Sequence, residues 1–167
     1  SRMSQPPDPS AFPLAHLAER ASLLGCEDRA ALVLKGEPLT HKELRRRVSE
    51  LAGWLASLGF ERGARVATWA AKGELTCLMP LAAARAGLVH VPINPLLKRA
   101  QAAYIAQDSG AVLLIANAAR LGSLEPGDLP DGSASLEETQ ALQTAYALGQ
   151  AHGPSQADPQ DLAAILY

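Results

Sequence analysis

Aromatic residues make up only 4% of this 167-residue chain, so its core has to be assembled from Ala, Leu, Val and Ile. Cysteine is almost absent. Cys26 and Cys77 stand 51 positions apart and form no metal-ligand spacing. The pair is expected to be reduced, as in the cytosol. No apolar run approaches the ~18 residues of a membrane span, and the N-terminus lacks the apolar centre of a signal peptide. The expected location is the cytoplasm, with no membrane partner. A basic excess is missing too: the formal net charge is -2, and non-specific nucleic-acid binding needs a basic surface. There is no G-x-G-x-x-G, no lysine-bearing phosphate loop and no H-E-x-x-H. The residues present form no recognisable catalytic constellation.

What is present is a globular composition, 48% apolar and 19% charged, of a length that suits one domain. Charge is unevenly placed. Through residue 99 there are 14 Lys/Arg against 9 Asp/Glu, and from residue 100 onward 1 against 8. The later part reads as a solvated acidic region.

Along the chain, Ser1-Arg2 ahead of Met3 reads as a vector remnant, and residues 1–10, with three prolines, as a flexible arm. Leu14 to Leu24 has helical spacing. Ala30 to Leu34 and Glu37 to Leu39 read as a hairpin. Thr40-His-Lys-Glu43 is a capping box in which Thr40 caps a helix and Glu43 reaches back to the cap's own N–H. Leu44, Val48, Leu51, Leu55 and Leu58 then make one apolar stripe, and Gly59 closes the helix. Arg65 to Ala70 is a strand. Glu74 to Ala86 is an almost wholly apolar helix, with Pro80 inside it and Gly87 as its terminator. Val89 to Val91 is a strand, Lys98 to Gln107 a helix and Ala111 to Ala116 a further strand. Residues 122–135 are expected as a surface loop, Leu136 to Leu148 as a helix and 152–160 as a linker. Asp161-Leu-Ala-Ala-Ile-Leu-Tyr167 reads as a buried strand. Strands alternating with helices imply an α/β fold with a largely parallel sheet flanked by helices.

Three segments resemble the adenylate-forming superfamily, the AMP-forming acyl-CoA synthetases and their adenylating relatives. Leu39-Thr-His-Lys-Glu-Leu44 is similar to the family's Leu-Thr-Tyr-x-Glu-Leu, with His41 where Tyr is usual. Leu81-Ala-Ala-Ala-Arg-Ala-Gly-Leu-Val-His-Val-Pro-Ile-Asn94 is similar to Leu-x-Ala-Gly-x-x-x-x-Pro-Leu-Asp/Asn. Leu162 to Tyr167 resembles the strand that feeds the family's phosphate-binding loop. Gly59 and Gly63-Ala-Arg-Val66 keep the register between the first two.

The resemblance implies that residues 11–167 are a partial AMP-binding domain, the N-terminal subdomain of such a ligase, truncated before its phosphate-binding loop. The segment Asn94-Pro-Leu-Leu-Lys98 leans toward acyl-CoA ligases over peptide-synthetase adenylation domains. It is also weakly similar to ligases associated with bacterial exosortase systems.

The reaction implied uses ATP, Mg2+ and CoA in the parent enzyme. A carboxylic acid becomes an acyl-adenylate and is then transferred to the CoA thiol. The charge-stabilising groups would lie beyond Tyr167, so the chain alone is expected to be inactive, to bind no cofactor and to serve as scaffold. Its expected partners are the remainder of the parent and a second copy paired through strand edges. The rival reading is a non-catalytic α/β module for protein interaction or oligomerisation.

Among individual residues, Lys98 and Arg99 are the candidates for the CoA phosphates, although as basic groups at a helix start they also read as a solvated helix end. His90 reads as a hydrogen-bonded packing residue, since no carboxylate or serine nearby in the sequence completes a dyad. Arg45-Arg46-Arg47 reads as a solvated helix face, and Asp108-Ser-Gly110 as a turn.

Overall fold

The computed structural model describes residues 39–152. The N-terminal arm, the helix over 14–24, the strands before Leu39, Cys26, nearly all of the linker-like stretch and the terminal strand 162–167 lie outside the described residues.

The first described helix, α1, is His41–Ser57. Thr40 Oγ1 accepts from the Glu43 N–H at 3.1 Å, which satisfies one donor that the helix cannot satisfy itself. The second half of the expected box is not made. The Glu43 carboxylate turns instead to the guanidinium groups of Arg46 and Arg47, because an ion pair on the helix face competes well with a neutral N–H. Leu44, Val48, Leu51 and Leu55 bury as one stripe, joined by Ala52 and Trp54. Leu58 falls outside it: it is the C-cap and is 39% exposed. Gly59 follows with φ 74°, a conformation an L side chain resists.

From there strands and helices alternate: β1 Arg65–Trp69, α2 Glu74–Arg85, β2 Val89–Ile93, α3 Arg99–Ser109, β3 Leu113–Ala116, α4 Ala118–Ser123, β4 Ala134–Glu137 and α5 Glu138–Leu148. The four strands form a parallel sheet in the order β2-β1-β3-β4. Val66 lies opposite both His90 and Leu113, and Leu113 opposite Ala134. Side chains alternate across the strands, so the sheet has two apolar faces. Val66, Leu113 and Ile115 pack with α1, α2 and α5, while Ala67, Trp69, Val91, Ile93, Leu114 and Ala116 pack with α3 and the α4 region. The result is a three-layer α/β sandwich, as the alternation in the sequence predicts.

The expected loop over 122–135 is shorter than that. Its first residues close α4 and its last two open β4. Ala134-Ser-Leu-Glu137 carries no β-branched or aromatic residue, and its strand identity comes from its pairing with β3. Pro80 lies inside α2, where it withholds the N–H that would bond the Thr76 carbonyl. Gly87, at φ 74°, ends that helix as expected. Cys77, buried on α2, is disulfide-bonded rather than reduced. Among the described residues no helix is long and apolar enough to cross a membrane.

Candidate functional site

The chain steps from β1 outward to β2, then crosses back over β1 to β3 and continues to β4. In open parallel sheets a crevice forms outside the carboxyl ends of the strands where that direction reverses, here between β1 and β3. That edge carries the Ala70–Gly73 turn into α2, Asn117 capping α4, and the Glu137-Glu138 step from β4 into α5. A cavity of about 420 Å³ opens there between the β1–α2 turn (Ala71 to Leu75) and α5 (Glu138, Thr139, Leu142, Gln143, Tyr146).

Glu74, the first residue of α2, organises one wall. Its Oε1 accepts from Arg47 Nη1 at 2.5 Å and from the Tyr146 hydroxyl at 2.5 Å. The Arg47 guanidinium lies 5.5 Å from the Tyr146 ring centroid, in reach of a cation–π contact. Its Nε also meets Glu43 Oε1 at 3.1 Å. Burial works against the Arg47 charge, but the Glu43 and Glu74 carboxylates hold its pKa above the ordinary value. Burial, reinforced by the Glu74 carboxylate, pushes the Tyr146 phenol up, so it stays a proton donor. Glu43 is drawn down to about 2, chiefly by the hydrogen bond from Arg46. Arg47 is therefore no solvated face: it ties α1 to α2 and α5, while Arg46 spans Glu43 and Glu50 on the helix surface.

The start of α2 offers little to an anion. The Thr76 hydroxyl accepts from the Gly73 N–H at 2.9 Å, and Glu74 places a negative charge in the first turn, where a phosphate would sit. Across the edge, Arg120 sits 5.9 Å over the Trp69 ring. Burial and the neighbouring Glu137 raise the Glu138 carboxyl, against the pull of Arg120.

Lys98 and Arg99 lie at the other side of the sheet edge, at the start of α3. Lys98 is exposed, and its backbone N–H is capped by Gln101 Oε1 at 3.0 Å. Arg99 is committed within the chain: Nη1 meets Asp128 Oδ1 at 2.8 Å and Glu125 Oε2 at 3.6 Å. Asp128 is held below its ordinary pKa by the Glu125 N–H and by Arg99. Beside Lys98, a shallow apolar groove of about 440 Å³ is lined by Leu97, Ala100, Gln101, Tyr104 and Ile105.

His90 is a packing residue. It is 2% exposed, and its Nε2 lies 2.7 Å from Thr68 Oγ1. The hydroxyl–imidazole pair has the composition of a nucleophile and base, but both groups are sealed from substrate, and burial lowers the His90 pKa to about 4. Thr68 escaped the sequence reading because only the β1–β2 register brings it within reach. The Arg47–Glu74–Tyr146 network escaped it for the same reason. Its members lie 27 and 72 positions apart and come from three helices. Among the described residues no three His, Cys, Asp or Glu side chains are grouped to hold a metal ion.

A family model described as "AMP-binding enzyme" matches residues 19–167. The L-proline--[L-prolyl-carrier protein] ligase of Pseudomonas fluorescens is 33% identical over 162 residues, covering 92% of this chain and 32% of the ligase. A mitochondrial medium-chain acyl-CoA ligase of Homo sapiens is 32% identical over 90 residues, covering 53% of this chain and 15% of that enzyme. Among solved structures, apo MatB from Rhodopseudomonas palustris superposes with a TM-score of 0.69 at 25% identity, over 80% of this chain and 28% of MatB. The chain thus spans about a third or less of the length of these relatives.

Proposed function

The chain belongs to the AMP-binding enzyme family, and on that premise we propose that it is the scaffold portion of an ATP-dependent, AMP-forming carboxylate–CoA ligase. In the whole enzyme a carboxylate oxygen attacks the α-phosphate of ATP and pyrophosphate leaves. The CoA thiol then attacks the acyl carbon, giving a thioester and AMP. The residues of this chain supply the parallel sheet and the crevice wall, and no step is assigned to them: the described part holds neither a metal-ligand group nor an open anion cradle. The observation that carries the reading is the match of the family model over 19–167.

CoA phosphates meet this chain, in this reading, at Lys98. It is exposed beside the Leu97–Tyr104 groove, whereas Arg99 is spent on Asp128 and Glu125. A second thiol acceptor, the prosthetic arm of a carrier protein, is favoured by the similarity to the prolyl-carrier protein ligase across 92% of the chain.

Carboxylate-dependent ATP–pyrophosphate exchange by the full-length protein tests the first step, and failure with a broad carboxylate panel removes the ligase reading. Thioester formation with CoA, against formation on a loaded carrier protein, separates the two acceptors. With CoA as acceptor, Lys98→Ala should raise the KM for CoA several-fold and leave that for ATP unchanged.

A further inference from the structure

We propose that β4 and α5 form a clasp that opens as one unit from the rest of the sheet, with the Tyr146–Glu74–Arg47 contact as its catch, and that its opening uncovers the 420 Å³ cavity. Among the described residues the unit's apolar hold is slight. α5 buries fully only Ala141 and Ala145. Leu136, Leu142 and Tyr146 add half-buried contacts. Among the described residues β4 is the outermost strand on its side, with Ala134 and Ser135 exposed, joined to the sheet through β3. By contrast, α2 buries nine of its twelve residues and β3 all four. Segments with few buried apolar contacts are those that open below the global unfolding free energy.

Polar contacts therefore have a large share in closing the unit. The Tyr146 hydroxyl donates to Glu74 at 2.5 Å, and Arg47 presses on the Tyr146 ring while pairing with the same carboxylate. Beyond α5, the His152 N–H reaches Ser49 Oγ at 3.0 Å, and the Gln150 carbonyl rests on α1 at Gly53. Each end of the unit has a break suited to a hinge. The 124–133 loop precedes β4, and Gly149, in the left-handed region at φ 63°, follows α5. The cavity lies between the moving part and the fixed one, since Glu138, Leu142 and Tyr146 form one wall and the turn at Ala71 to Leu75 the other. Swinging α5 away would bare Glu74 and the start of α2.

Native-state hydrogen exchange on the full-length protein tests this. In the unaltered protein the amides of α5 should exchange at a common rate, at least about tenfold faster than those of β1 and β3. Tyr146→Phe removes the donor and keeps the ring. It should speed exchange in α5 about tenfold or more, since the lost bond has a charged acceptor, and leave α2, β1 and β3 unchanged. Exchange of α5 at the same rate as β1 and β3 in the unaltered protein would overturn the clasp, whatever the variant does. So would a Tyr146→Phe variant that speeds every element equally or none.

Discussion

His90 shows what one buried polar residue does to this sheet. Neutral, it fits beside the Thr68 hydroxyl; protonated, it would put a charge into a site that is 2% exposed. Its pKa is lowered in the fold, from 6.5 to about 4, so the unfolded chain takes up a proton first. Stability is then full above about pH 6.5, falls as the pH drops toward 4, and levels off below. The whole loss is about 3 kcal/mol at 1.36 kcal/mol per pKa unit. Urea midpoints at pH 7, 5.5 and 4 should trace that fall, and His90→Asn should flatten it. A wild-type midpoint independent of pH across this window would show that the imidazole is not sealed. Gly53 is the second residue with a decisive environment. A Cβ there would stand 1.9 Å from the Gln150 carbonyl oxygen, a backbone atom with little room to give. Helix propensity alone favours Gly53→Ala by roughly 1 kcal/mol, but the overlap should reverse the sign and cost about 1–3 kcal/mol. A Gly53→Ala protein with a raised melting temperature would mean that the 149–152 segment does not lie on α1.

At the scale of elements, α1 is secured by its cap. Thr40→Ala removes the acceptor for the Glu43 N–H and should lower stability by about 1 kcal/mol, read from a urea midpoint; an unchanged midpoint would place the helix start elsewhere. This cap, the buried stripe of α1 and the left-handed glycines at 59 and 87 were legible in the sequence because each depends on neighbours within a few positions. β4 was not, since Ala134-Ser-Leu-Glu137 has no strand propensity of its own and forms against β3. α4 was likewise hidden, being six residues long and set by the Asn117 side chain capping Arg120. The candidate site lay at the far end of this gradient. Glu74, Arg47 and Tyr146 look like ordinary helix-surface residues in their own segments, and only the packing of α1, α2 and α5 makes them one network. Arg99 was legible as a cation but not as a paired one, because its partner Asp128 lies 29 positions away in a loop.

For the whole molecule, what matters is where the sheet ends. Among the described residues β2 stands outermost on one side, a strand buried on both faces, with Pro92 withholding a donor. β4 closes the other, half exposed, with no strand beyond it among the described residues. The Ala134 N–H donates inward to the Val112 carbonyl at 3.0 Å, so by alternation the N–H and C=O of Ser135 face outward. Such an edge is a template for another strand. The isolated chain is therefore expected to pair through β4 with a second copy, and sedimentation at micromolar concentration should find dimers. Ser135→Pro takes away an outward donor while sparing the ladder to β3, and should shift that population to monomer with the α/β signal in circular dichroism kept. A monomeric chain would mean that the β4 edge is covered within it, and a Ser135→Pro protein that stays dimeric would move the contact to the groove beside Tyr104.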